Sequence, residues 1–283
     1  MRWKGRQTST NVEDRRRSGG GRIVGGTIGV GTILFFIAYT LLTGEAPTEL
    51  LQQTQPQVQQ TQRTPDAAEE QLAQFSKVVF KDTEDVWSKL FADQLNARYV
   101  YPKLVLYSGS TQAACGMASA AMGPFYCPAD QKVYIDLQFF KDLKKNFGAS
   151  GDFAMAYIIA HEVGHHVQNQ LGITDQVQRE RRRLSKRDYN KLLVRLELQA
   201  DYLAGVWAHH IEKMKHVLDE GDIEEAMNAA NSVGDDRLQK RHQGYVVPDA
   251  FTHGTSEQRM RWFLKGFKSG KILEGNTFNT SNL

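Results

Sequence analysis

Two histidines, His161 and His165, lie four residues apart in a mainly apolar stretch that covers residues 153–167. In a helix, side chains at this spacing leave the same face one turn apart, so the two imidazoles can bind one zinc ion together. Glu162 lies about 100° around the helix from His161, where its carboxylate can take a proton from a water molecule activated by the metal. The spacing therefore predicts a zinc site with Glu162 as the general base.

A catalytic zinc site of this kind needs a third protein ligand. The metzincin pattern would place a histidine six residues after His165, but that position holds Leu171. Farther along, Glu197 and Asp201 are four residues apart in a stretch with helical periodicity and several small residues. We expect Glu197 to be the third zinc ligand and Asp201 to accept a hydrogen bond from the other ring nitrogen of a ligand histidine. Solvated surface carboxylates are the alternative interpretation.

The chain resembles the YpfJ-type family of bacterial neutral zinc metallopeptidases, which are membrane proteins. The resemblance rests on residues 1–6 and 11–16, the segment around the two cysteines, the zinc motif, residues 197–201, and residues 253–259. It implies a gluzincin-like peptidase with a peptide or protein substrate and Zn²⁺ as cofactor. The residues to which it assigns roles are the zinc ligands His161, His165 and Glu197 and the catalytic Glu162.

In gluzincin-like folds an edge strand borders the active-site helix and pairs with extended substrate backbone. The resemblance gives this role to residues 133–137, which read as a strand. From the sequence alone, the same segment could equally be an internal strand.

Residues 23–43 contain no charged side chain and are long enough to cross a bilayer as one helix. Basic residues are concentrated before this segment, and the first basic residue after it is Arg63. The positive-inside rule then places residues 1–22 in the cytoplasm and the rest of the chain outside the bacterial inner membrane. A cleaved signal peptide is the alternative, although no clear small-x-small cleavage pattern follows the apolar segment.

Residues 44–70 are rich in glutamine and contain prolines, a composition typical of a disordered linker. Residues 71–283 then form the predicted peptidase domain, an α+β and mostly helical fold with a small sheet. We expect its first helix to be interrupted near Asp82 and Thr83. Hydrophobic residues make up 41% of the chain, enough for a core, and the formal net charge of +3 is too small to favour nucleic-acid binding.

The chain has 2 cysteines, Cys115 and Cys127, in a glycine-containing stretch between two predicted strands. In an extracytoplasmic domain such a pair predicts a disulfide. A second site for a soft metal is the alternative, but no neighbouring histidine completes it.

His253 precedes the last predicted helix, at residues 256–267. It could donate a hydrogen bond to the oxyanion that forms during peptide hydrolysis, or it could simply pack beside a helix capped by Thr255. Taken together, these patterns predict a membrane-anchored zinc peptidase. The competing hypothesis is a non-catalytic envelope protein, stabilised by zinc, that acts in assembly or quality control.

Overall fold

The computed structural model describes residues 1–17, 64–119, 123–147 and 151–283. In these ranges the strands are β1 (Val12–Asp14), β2 (Lys103–Tyr107), β3 (Ser110–Ala113), β4 (Gly116–Ser119), β5 (Phe125–Cys127) and β6 (Lys132–Asp136). The helices are α1 (Ala67–Leu95), α2 (Leu137–Phe147), α3 (Asp152–Gln170), α4 (Ile173–Glu180), α5 (Lys186–Lys215), α6 (Asp222–Ser232), α7 (Asp235–Gln243) and α8 (Ser256–Ser269). The predicted mostly helical α+β class with a small sheet is confirmed.

The main sheet has the strand order β1-β2-β6-β5, with β1, β2 and β6 parallel and β5 antiparallel to β6. Strand β6 is therefore internal, and the prediction that residues 133–137 form the edge strand is wrong. Its apolar residues are buried on both sides, as is usual for a central strand. The edge beside β6 belongs to β5, a three-residue strand too short to stand out in the sequence.

Helix α1 is continuous, so the interruption predicted near Asp82 and Thr83 is absent. Asp82 is buried and forms ion pairs with Arg6 and Lys215. Two residues farther along, the Glu84 carboxylate accepts hydrogen bonds from Ser9 and Asn11. The N-terminal segment therefore docks on α1 at the polar residues that suggested a break.

The N-terminal residues 1–17 are part of the same folded unit as the rest of the described chain. Trp3 is only 9% exposed and packs edge-on against Phe75, with ring centroids 5.4 Å apart. Its indole N–H donates a 2.8 Å hydrogen bond to Asp152, the first residue of α3. Strand β1 also pairs with β2 along the edge of the sheet.

Paired strands must lie on the same side of any membrane, because their backbone groups share hydrogen bonds. The structure therefore does not agree with a cytoplasmic N-terminus separated by one membrane crossing from a domain at residues 71–283. Arg16, just after β1, contacts the domain through an ion pair with Glu70 in α1, and it also pairs with Asp14 in β1 itself. Helix α1 also begins at Ala67, inside the predicted linker.

The predicted membrane span, residues 23–43, and most of the predicted linker lie outside the described residues. Within the described ranges, the structure contains no helix with the length and apolarity that a membrane crossing requires.

Helix α3 is the predicted zinc-motif helix, and it packs against α5 at a glycine. A Cβ atom on Gly164 would lie 3.0 Å from the carbonyl oxygen of Ala200 and 3.3 Å from its Cα atom. Only glycine avoids this crowding, so the two helix backbones approach closely beside the residues with metal-binding side chains.

Candidate metal centre

Three predicted ligands converge between α3 and α5. One ligand atom from each of His161, His165 and Glu197 lies within 4.8 Å of the others. The Nε2 atom of His161 is 3.2 Å from Glu197 Oε2, and the Nε2 atom of His165 is 3.4 Å from Glu197 Oε1. The carboxylate thus faces the same ring nitrogen of both histidines.

The other nitrogen of each ring has its own hydrogen-bond partner. His161 Nδ1 is 2.8 Å from Oδ1 of the fully buried Asp201, and His165 Nδ1 is 2.9 Å from Oε1 of Gln168. The amide nitrogen of Gln168 donates to the carbonyl of Leu196, which orients its oxygen toward the histidine. These contacts favour N–H at both Nδ1 atoms and leave both Nε2 lone pairs for a metal ion.

The donor set fits zinc. Two imidazole nitrogens and one carboxylate oxygen are the protein ligands of many catalytic zinc sites, which keep a fourth position for water or substrate. The histidine partners supply the supporting hydrogen bonds that such ligands normally have. His161, His165 and Glu197 are therefore the residues that can hold the ion.

The charges around the ligands favour a cation. Burial alone would raise the pKa of Asp201, but Arg259 and His161 outweigh it and lower this pKa to about 2. Burial also disfavours the charged form of His161, yet Asp201 and Glu197 raise its pKa to about 10. For Glu197, the neighbouring histidines outweigh burial and lower the pKa well below its usual range. A metal ion must therefore displace a proton that these carboxylates hold on the imidazole.

Glu162, the predicted general base, follows His161 on the same helix and is 8% exposed. Its carboxylate has no hydrogen bond or ion pair with any residue that the structure describes. Its negative charge is close enough to contribute to the raised pKa of His165. A carboxylate beside the ligands and not committed to another partner is suited to accept a proton.

His253 lies in the loop before α8, and Asp235 at the start of α7 holds that loop. One oxygen of Asp235 accepts backbone N–H groups from Thr252, His253 and Gly254 at 2.7, 2.6 and 3.0 Å. The other oxygen is 3.2 Å from His253 Nδ1. Burial lowers the pKa of His253, but Glu197 and Asp235 outweigh it, so the net shift is upward. The structure thus brings His253 close enough to the ligand Glu197 for their charges to interact.

Four residues of this site were not identified from the sequence. Gln168 is three residues after His165, a helical spacing that could have indicated it. The other three are brought in by tertiary packing, which leaves no local signal: Tyr157, Asp235 and Arg259.

Cys115 and Cys127 form a disulfide, as predicted. It joins the turn between β3 and β4 to the end of the edge strand β5.

Comparisons with known proteins agree with the geometry of the site. Residues 1–278 match a family model described as "Putative neutral zinc metallopeptidase". The chain is 48% identical over 289 aligned residues to "Uncharacterized protein YpfJ" of Escherichia coli, covering 99% of this chain and 100% of that protein. It is 40% identical over 195 residues to "Uncharacterized protein Rv2575" of Mycobacterium tuberculosis, covering 65% of each chain.

No solved structure matches the chain. The family model covers nearly the whole sequence, including the N-terminal residues that pack into the domain and every residue of the metal centre. The protein therefore belongs to the neutral zinc metallopeptidase family.

Proposed function

We propose that the protein is a zinc-dependent peptidase in which His161, His165 and Glu197 hold the metal and Glu162 is the general base. One observation carries the proposal: both Nε2 atoms face Glu197 while both Nδ1 atoms are bound elsewhere. In a chance cluster of histidines, the hydrogen-bond partners would not occupy Nδ1 of both rings and leave Nε2 of both rings facing one carboxylate. A site prepared for a metal requires this arrangement.

When bound, zinc supplies a Lewis acid that activates a water molecule and polarises the scissile carbonyl. Glu162 takes a proton from that water molecule as it attacks and passes it to the leaving amine. Glu197 and the two histidines keep their positions through the hydrogen bonds described above. No second general base is required.

We assign His253 to stabilisation of the negative charge that develops on the carbonyl oxygen. Its Nδ1 atom contacts Asp235, which leaves Nε2 as the ring nitrogen available to a substrate. The raised pKa of His253 favours the imidazolium, a strong donor to an oxyanion. Its side chain is 49% exposed, so a substrate can reach it.

We place extended substrate along β5, the edge strand beside α3. The hydroxyl of Tyr126, in the middle of β5, is 2.9 Å from Nδ1 of His166 on α3, which fixes the strand beside the zinc helix. An edge strand offers free backbone groups on its outer side, and a peptide can pair with them as an added strand. The substrate class is accordingly an extended or unfolded polypeptide.

We also propose that the domain acts outside the cytoplasm, because disulfides persist in oxidising compartments. On this proposal residues 1–17 lie on the same side as the domain into which they pack. Reporter fusions at residue 283 and labelling of the N-terminal segment in intact cells would test both statements. A cytoplasmic signal for either would contradict the proposal.

The substitution Glu162→Gln tests the catalytic assignment. It keeps the side-chain shape but removes the base, so bound zinc should stay near one equivalent while cleavage of an unfolded casein substrate falls about 10²- to 10⁴-fold. Glu224→Gln removes the same charge from an exposed position on α6 and is the control. Full hydrolysis by Glu162→Gln would refute the assignment, and the absence of zinc-dependent hydrolysis by the wild-type chain would favour the non-catalytic envelope function.

A further inference from the structure

Arg259 on α8 is a buried arginine next to the metal centre and is only 4% exposed. Its guanidinium forms a bidentate pair with Asp201: Nε donates to Oδ2 at 2.8 Å and Nη2 donates to Oδ1 at 3.0 Å. Such paired hydrogen bonds fix both the position and the plane of a carboxylate. The orientation of Asp201 is therefore determined from α8, an element that supplies no metal ligand.

Asp201 in turn orients the ligand histidine, His161. Its Oδ1 atom accepts a 2.5 Å hydrogen bond from the hydroxyl of Tyr157 and lies 2.8 Å from His161 Nδ1. Tyr157 also contacts the guanidinium, with Arg259 Nη2 3.2 Å from its hydroxyl oxygen. Arg259 and Tyr157 thus hold the carboxylate from two sides while it holds the imidazole.

We propose that Arg259, together with Tyr157, is a positioning residue that sets the zinc affinity of the site through Asp201 and His161. The inference rests on the proposed zinc site and adds a role for α8. The arginine fixes the position and plane of the Asp201 carboxylate in the protein interior, so His161 presents Nε2 to the metal without loss of rotamer freedom on binding.

The packing of α8 on α5 supports this role. A Cβ atom on Gly266 would overlap the carbonyl oxygen of Tyr202, and one on Gly205 would overlap that of Phe263. The two helices therefore touch backbone to backbone, and this brings Arg259 within reach of Asp201. Docking of α8 and orientation of the metal ligand are consequently parts of the same packing arrangement.

Arg16 provides a matched control within the same chain. It is also 4% exposed and bidentate to a carboxylate, with Nε 2.8 Å from Asp14 Oδ1 and Nη2 2.5 Å from Asp14 Oδ2. This pair lies at the β1 edge of the sheet, away from the metal ligands. A purely structural role of Arg259 would make Arg259→Lys resemble Arg16→Lys.

The experiment measures the zinc affinity of the full chain by competition with a chelator, together with the melting temperature of the metal-free protein. Arg259→Lys keeps the positive charge but cannot form the two parallel hydrogen bonds to Asp201, and it should raise the zinc dissociation constant about 10- to 100-fold. Tyr157→Phe removes a single donor and should raise it less. Arg16→Lys should lower the melting temperature and leave the zinc dissociation constant within about threefold of wild type.

Visible absorption of the cobalt-substituted chain reports ligand geometry directly. The spectrum should change in Arg259→Lys and stay unchanged in Arg16→Lys. Unchanged affinity and spectrum in Arg259→Lys would overturn the inference while the zinc site stands. If that variant does not fold, wild-type affinity in Tyr157→Phe would overturn it equally. Failure of the wild-type chain to bind zinc would overturn the proposed function and this inference with it.

Discussion

Trp3→Ala tests whether the N-terminal segment is part of the folded protein. Replacement of a buried tryptophan by alanine costs about 3–5 kcal/mol of unfolding free energy. Trp3 is 9% exposed, packs against Phe75 and donates to Asp152, and the lost hydrogen bond accounts for about 1 kcal/mol of that cost. We therefore expect the unfolding free energy to fall by about 3–5 kcal/mol, which corresponds to roughly 6–20 °C in melting temperature for a domain of this size.

The assay is thermal unfolding of the full chain followed by circular dichroism, with and without zinc. Thr8→Ala, an exposed change in the same segment, is the control and should stay within about 0.5 kcal/mol of wild type. If Trp3→Ala also stays within about 0.5 kcal/mol of wild type, the segment does not pack as described. The proposal that both parts of the chain lie on the same side of the membrane would then lose its support.

Glu197→Ala should lose bound zinc and activity together, because two histidines are too few protein ligands for a stable tetrahedral site; full zinc content by emission spectroscopy would place the third ligand elsewhere. Zinc must displace the proton of His161, whose pKa is raised to about 10, so the logarithm of the zinc association constant should rise by about one or more per pH unit between pH 6.5 and 10, and a pH-independent constant would refute the assignment. The same raised pKa stabilises the metal-free protein at pH values below the unfolded pKa of 6.5, and this stabilisation is lost as the pH rises through about 10. Cys115 and Cys127 should resist alkylation until reduced, and replacing both by serine should lower the unfolding free energy by about 3 kcal/mol for a loop of this length. Labelling without reductant would contradict the disulfide.

The local parts of the site could be predicted from the sequence because helical periodicity alone determines them. His161 with His165, and Glu197 with Asp201, each lie one turn apart on one helix, and the structure brings the two pairs together. Arg259 could not be predicted, because its partner lies 58 residues away and is reached only through the packing of α8 on α5. Contacts of this kind depend on the whole fold.

The N-terminal segment shows how one pattern can have two physical explanations. Arginines before an uncharged stretch are typical of a membrane anchor, and the same side chains can pair with carboxylates in a folded domain. Arg6 and Arg16 do so here, with Asp82 and with Asp14 and Glu70. Sequence position alone does not distinguish these cases, because both need only positive charge. The edge strand was misassigned for a similar reason, since strand order depends on tertiary pairing.

The close contact between Gly164 and Ala200 constrains how the sequence of this protein can change over evolution. Gly164 occupies a variable position of the His-Glu-x-x-His pattern, yet any side chain there would push α5 away and carry Glu197 with it. The crowding would be with the carbonyl oxygen and Cα atom of residue 200, which no exchange of the side chain at 200 removes. Relatives that share this two-helix site should therefore keep glycine at position 164. That glycine gives a criterion, independent of the metal ligands, for deciding which distant sequences share the site.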